Sequence, residues 1–263
     1  MFDLDAYLQR IGAPRDPSLV ELHRAHVSAI PFENLDPQAG IPVELDPDAL
    51  QRKLVDDGRG GYCFEHNLLL AGALQELGAQ VEPMLARVRW GAPPGTLRPR
   101  THLLLRVTLD GEVWHADVGF GAGTLLEPIP FGPSGTHEQW GWRFRVVPEG
   151  PDLVLQTEEA GAWRDAYAFS PEPSPPIDIE LSNWYTATHP QSGFVAGLIV
   201  ARHLPDGTRL SLSDWSGTLT LARRTPVDAV AHEVTRDAVP GLLADEFMLP
   251  GFVLGRDGRL VSG

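Results

Sequence analysis

The chain has 263 residues, with 21 Lys and Arg against 35 Asp and Glu, a formal charge of −14, and this acid excess argues against a general binder of nucleic acid or anionic membranes. At 43% hydrophobic and 21% charged residues it is too apolar for a disordered chain, and no apolar run approaches the ~20 residues of a membrane span. A single cysteine, Cys63, excludes an intramolecular disulfide and any four-cysteine zinc site, so the expectation is a cytoplasmic globular protein of one large domain or two to three small ones.

In chain order, residues 3–11 place Leu4, Tyr7, Leu8 and Ile11 at helical spacing behind an Asp N-cap. Residues 17–30 repeat the pattern, with Pro17 in the first turn and Pro31 at the stop. A third helix is expected over 46–57. The strongest helical pattern runs over 63–77 and halts at Gly78, a natural residue for a helix end. After Val81 the pattern shortens to alternating runs, among them THLLLRVTL, EVWHADVGF, WRFRVV, DLVLQT and AWRDAYAF. Gly, Pro and Asp-Gly punctuate them, as in an antiparallel sheet or barrel. PEPSPP at 171–176 reads as a boundary, and 177–263 mixes strands with one helix-like run near 226–245. Helices first, strands second and a mixed tail third predict an α+β fold.

Lys53 is the only lysine. Guanidinium forks suit phosphates and carboxylates, but the pairs Arg98 with Arg100 and Arg223 with Arg224 read first as solvated surface charge.

Cys63 lies in RGGYCFEHN, directly before the long apolar helix. Unpaired N–H groups and the dipole at a helix N-terminus favour a thiolate. Gly60 and Gly61 are expected to adopt positive φ and to bring backbone amides towards a bound group, where they would hold an oxyanion. The competing reading is a small buried hydrophobe.

A cysteine nucleophile needs a base, commonly held by a third group. Asp110-Gly111 between two alternating runs signals a two-residue hairpin, in which Leu109 pairs with Glu112. Leu103, Leu105, Val107, Trp114, Ala116 and Val118 then share one face, and His102, Leu104, Arg106, His115 and Asp117 the other. Asp117 stands diagonal to His102, at roughly 7–8 Å between backbones, a gap that an imidazole and a carboxylate bridge. His115 is the rival base, or a strand histidine near the surface, and a one-residue slip would part His102 from Asp117. His23 with His26, or Cys63 with His66, lack the spacing of a zinc site. They read as surface or core histidines, and no metal is expected.

IPFENLD at 30–36, RGGYCFEHN at 59–67, the His102 strand and DVGFG at 117–121 together resemble the arylamine N-acetyltransferases, with a weaker match at NWYTATHPQSGF, 183–194. The resemblance implies a helical domain over residues 1–84 with the nucleophile, a central antiparallel β-barrel domain over 85–185 with the His and Asp, and a C-terminal α/β lid domain over 186–263. It implies a cysteine-protease-like triad of Cys63 as acyl acceptor, His102 as base and Asp117 as orienter. Arg59 and Glu33 resemble the family's buried ion pair, and Phe32, Phe120 and Gly121 fall at substrate-lining positions. Acetyl-CoA is implied as co-substrate, with no permanently bound cofactor and a small-molecule amine as acceptor. The DVGFGAGT run would lend amides to a phosphate or a carbonyl oxygen, or form a plain turn. The last 70 residues match the family poorly, which leaves the coenzyme A contacts unplaced. Three alternatives stand beside this reading: an amide synthase of the same fold closing a macrolactam from a carrier-bound polyketide, a cysteine peptidase or transglutaminase, and a non-catalytic binding or metal protein.

Overall fold

The structure, a computed structural model, describes residues 2–93, 95–256 and 258–263. It begins with α1 (Leu4–Ile11), capped by the Asp3 carboxylate on the Ala6 N–H, and α2 (Leu19–Ala29), held by a reciprocal box between Ser18 and Glu21. Strand β1 (Phe32–Glu33) and the short helices α3 (Leu35–Ala39) and α4 (Pro47–Leu50) follow. The helix expected over 46–57 is two pieces, because α4 runs on into a π-turn over Gln51–Asp56. Helix α5 (Cys63–Glu76) is buried on nearly all sides, as an apolar helix at the centre of a fold must be.

The middle of the chain supplies β2 (Gln80–Val88), β3 (Arg100–Leu109), β4 (Glu112–Ala116), β5 (Ile129–Pro130), β6 (Thr136–Gln139), β7 (Trp142–Glu149), β8 (Asp152–Glu159) and β9 (Ala162–Phe169). They form one antiparallel sheet in the order β5-β4-β3-β2-β9-β8-β7-β6, curled into a nearly closed barrel. The tail contains α6 (Pro176–Thr188), α7 (Gly193–Ala196), β10 (Ile199–His203), β11 (Arg209–Ser213), β12 (Thr220–Arg224), β13 (Ala229–Glu233), α8 (Val239–Asp245), β14 (Phe252–Leu254) and β15 (Leu260–Ser262). The helix-like run near 226–245 therefore divides. Its first part pairs with β12 as an edge strand, and only its end is helical. The 171–176 boundary opens directly into α6, with Pro176 in its first turn.

One core joins the helices to the barrel through Leu22, Leu54, Leu70, Leu74, Leu104 and Phe144, and a second lies under the tail sheet around Leu198, Leu212, Leu243 and Phe247. β1 links the two, since Phe32 and Glu33 pair with Ala201 and Val200 of β10 while the Glu33 N–H donates to Gly61 O at 2.7 Å. The segment that precedes Cys63 is thereby clamped between the helices and the tail sheet. Among the described residues, no helix is long and apolar enough to cross a membrane.

Candidate active site

Cys63 is the first residue of α5, and the two glycines before it act differently from expectation. Neither has a positive φ. They are small because the backbone is crowded: a Cβ on Gly60 would lie 2.2 Å from Pro31 O, and one on Gly61 would lie 2.7 Å from the Glu65 carboxylate. Their surroundings also engage the amides expected to meet an oxyanion, since Gly61 N–H donates to Pro31 O and Tyr62 N–H to Glu65 at 2.9 Å. Lys53 bridges Glu65 and Asp36, each at 2.6 Å, and Arg59 reaches Glu33 at 2.7 Å and Asp36 at 2.9 Å. The structure thus places Arg59 against Glu33 and adds the sole lysine to the same cluster. Burial pushes the Glu65 carboxyl up to about 6, with Lys53 opposing the shift.

The hairpin has the expected register, with Leu109 opposite Glu112 and Leu105 opposite Ala116. Asp110 and Gly111 both take positive φ, 52° and 81°, the geometry that a tight two-residue turn requires. A β-bulge then interrupts β2 and β3: His102 pairs with Ala86, but the next pair is Arg87 with Arg100. The extra residue, Thr101, turns its carbonyl towards the thiol, 3.7 Å from Cys63 Sγ. His102 Nε2 lies 2.7 Å from Asp117 Oδ2, and the Cys63 thiol lies close enough to His102 to favour its protonated form. Cys63, His102 and Asp117 are brought together, all buried.

The charges of the pair reinforce each other. Burial opposes the His102 imidazolium, but the Asp117 carboxylate outweighs it by charge and hydrogen bond, helped by Cys63, and lifts the imidazole to about 9. Burial likewise opposes the Asp117 carboxylate, and His102, Asn67 Nδ2 and the Gly119 N–H outweigh it, holding the carboxyl near 2. Gly119 packs so closely on α5 that a Cβ would sit 2.7 Å from Cys63 Cα.

His115 is fully buried, not near the surface, and its Nε2 lies 2.7 Å from the Tyr167 hydroxyl. That hydroxyl also lies 2.8 Å from Asp117 Oδ2. The sheet faces explain the difference: both faces of the hairpin are covered, one by the helices and one by the far barrel wall. His23, His26 and His66 lie in the core and carry hydrogen bonds, and no cluster of three or more His, Cys, Asp or Glu among the described residues fits a metal ion.

Phe120 sets its ring edge-on to His102, 4.9 Å between centroids, with Trp90 6.1 Å behind it. Phe32 stacks on His66 and meets Phe194 edge-on at 6.1 Å. Gly121, at φ 58°, backs onto the Phe32 ring. The DVGFGAGT run is a turn whose Gly119, Phe120, Gly123 and Thr124 amides bond within the run. Tyr167, Asn67, Trp90 and Phe194 were not singled out from the sequence. Asn67 and Phe194 lie inside the quoted motifs, whereas Tyr167 reaches the site only through the pairing of β9 with β2.

A family model described as N-acetyltransferase matches residues 17–250. The chain is similar to an arylamine N-acetyltransferase of Mycolicibacterium smegmatis, 46% identical over 209 residues, 76% of each chain. It also resembles the structure of the Mycobacterium marinum arylamine N-acetyltransferase in complex with CoA, at 38% identity and a TM-score of 0.89 over 94% of this chain and 93% of that one. A weaker likeness, 33% over 183 residues, covering 66% of this chain and 69% of that one, relates it to the proansamycin X synthase of Amycolatopsis mediterranei.

Proposed function

The chain belongs to the arylamine N-acetyltransferase family, and from that premise we propose that it moves an acetyl group from acetyl-CoA to an arylamine or arylhydrazine through an acyl-enzyme on Cys63. The observation that carries this reading is the buried line Cys63, His102, Asp117, with Asp117 on His102 Nε2 at 2.7 Å. With its imidazole lifted to about 9, His102 is protonated near neutral pH and supports a thiolate–imidazolium pair.

The thiolate attacks the acetyl carbonyl, the C–S bond to coenzyme A breaks, and the departing thiolate takes the proton from His102. The neutral imidazole then accepts the proton of the attacking amine as the Cys63 thioester opens to the amide. Thioester exchange is nearly balanced, and amide formation draws the second step forward. Phe32, Phe120 and Gly121 are assigned to the acceptor pocket. The placement of aromatic rings beside the thiol and its base supports this, with Phe32 and Phe194 packed around Cys63 and Phe120 edge-on to His102. Such apolar packing would also keep water from the thioester. Arg59 and Glu33 brace the segment before Cys63. The proposed division of the chain at 1–84, 85–185 and 186–263 is drawn back to the start of β2 at Gln80 and to the start of α6 at Pro176, so that neither the strand nor the helix is split between units. The acidic composition and single thiol support a cytoplasmic setting with small-molecule partners.

The test is intact mass after brief mixing with acetyl-CoA, then a chase with an aromatic amine. An acetyl-sized gain in the wild type, absent from Cys63→Ala and cleared by the amine, is the expected result. No gain from acetyl-CoA, with a thiol that still alkylates, would shift the assignment to a different acyl donor and the amide-synthase reading. The likeness at 33% is the observation on that side.

A further inference from the structure

Asp117 Oδ2 receives two partners, His102 on one side and Tyr167 on the other, and behind Tyr167 stands His115. We propose that His115 is a positioning residue for the triad: its Nε2–H donates to the Tyr167 oxygen and so commits the one Tyr167 proton to Asp117 Oδ2.

The directions follow from counting protons. An ionised carboxylate only accepts, so the 2.8 Å contact between Tyr167 and Asp117 is supplied by the tyrosine O–H. A hydroxyl has one proton, so the 2.7 Å contact between Tyr167 and His115 is supplied by the histidine. His115 is therefore the Nε2–H tautomer with a bare Nδ1. That nitrogen is buried and has no hydrogen-bond partner, a state an acceptor tolerates better than an N–H does. The Phe169 ring stands perpendicular to the imidazole at 5.1 Å and Phe131 lies 6.5 Å away, so an aliphatic side chain would suit the apolar part of this site.

Burial drives the His115 imidazole down to about 4, against the pull of Asp117 and with His102 and His23 adding to the fall. It therefore stays neutral while His102 carries the charge. Donation from His115 polarises the Tyr167 hydroxyl, strengthens its bond to Asp117 and withdraws part of the carboxylate charge from His102. The relay sets how firmly His102 holds its proton, and it fixes the carboxylate from the side opposite Asn67 and Gly119.

The relay deepens the triad proposed above and rests on it, so its test uses no acyl donor. The first readout is the imidazole nitrogen resonances of the intact protein, where His115 is expected neutral with its proton on Nε2. The second is the rate of Cys63 alkylation by iodoacetamide against pH in the wild type, His115→Leu, His115→Gln, Tyr167→Phe and the Leu/Phe double variant. Leu is expected to raise the pH at which His102 loses its proton by about 0.2–0.6 unit, the share of a charge-assisted hydrogen bond that polarisation supplies. Gln, whose amide N–H reaches where Nε2 did, restores the wild-type profile, and Leu has no further effect on a Tyr167→Phe background. A proton on His115 Nδ1, a profile unmoved by Leu, a Gln profile no nearer wild type than that of Leu, or additive effects of Leu and Phe would each overturn the relay. Should the Leu variant not fold, the tautomer in the wild type decides. A relay that passes in a protein that takes no acetyl group from acetyl-CoA counts against the donor assignment alone.

Discussion

Asp117 meets donors on both oxygens, from Asn67 Nδ2 at 3.0 Å and Gly119 N–H at 2.9 Å on Oδ1, and from His102 and Tyr167 on Oδ2. Asp117→Asn preserves the shape and changes the chemistry. An amide nitrogen on either side would point N–H at donors already in place, and no arrangement of one oxygen serves all four. The imidazolium also loses the carboxylate that lifts it to about 9, so burial, the opposing effect, takes over and the His102 value falls. Acyl transfer is expected to drop about 10³-fold or more, as when the orienting acid of a triad becomes an amide. Single-turnover kinetics with a parallel His102 titration checks both. A variant with near-wild-type turnover and an unmoved titration would mean that Asp117 does not orient the base.

Each element carries a different share of this site, and the shares were unequally legible in the sequence. The β3–β4 hairpin was readable to the residue, because Asp110-Gly111 leaves one tight turn and alternation then fixes every pair. The bulge at Thr101 and the pairing of β9 with β2, which deliver the Thr101 carbonyl and Tyr167, depend on strands far apart in the chain. The π-turn over Gln51–Asp56 was hidden for a related reason. Local periodicity marks a helix, whereas the winding is held from outside by Arg10, which donates to Leu54 O and Gly58 O. β13 takes its state from β12, not from its own pattern. That π-turn also presents Lys53 to Glu65 and Asp36. Lys53→Met would leave Glu65, with 2% of its side chain exposed, facing Glu33 without its cation. Breaking one side of a buried ion pair is strongly destabilising, so a loss of about 3 kcal/mol is expected in urea unfolding. Unchanged stability would show that the cluster is solvated enough to do without its lysine.

At the scale of the whole molecule, the buried histidines tie the three parts of the chain together and set its acid limit. His66 Nε2 faces Pro31 O and must donate to it, so its Nδ1 accepts from His26 Nε2–H at 2.9 Å, and His26 Nδ1 accepts from the Tyr7 hydroxyl at 2.8 Å. His23 Nε2 accepts the Asp117 N–H, and His203 Nε2 reaches Gly121 O from the tail sheet. Burial holds His23, His66 and His115 near 4, His203 near 3 and His26 well below its ordinary value. For a histidine with a lowered folded value, the unfolded chain binds the proton first. Its contribution is thus fully present above about 6.5 and is lost as pH falls towards the folded value. His102 runs the other way, stabilising below about 6.5 and losing that contribution as pH rises through about 9. Asp117, held near 2, keeps its contribution throughout the window in question. Each of the five neutral histidines removes about 1.4 kcal/mol per pH unit. Glu65, held up to about 6, takes its proton first in the folded chain and offsets about one of them, leaving about 6 kcal/mol per pH unit against a typical folding free energy of about 5–15 kcal/mol. Unfolding is therefore expected about one to two pH units below 6.5, steeply and with uptake of several protons. Tryptophan fluorescence across a pH series, with proton uptake followed by potentiometric titration, measures both. A fold that persists below about pH 4, or unfolds with uptake of one proton or fewer, would mean that these histidines are not held neutral as a set.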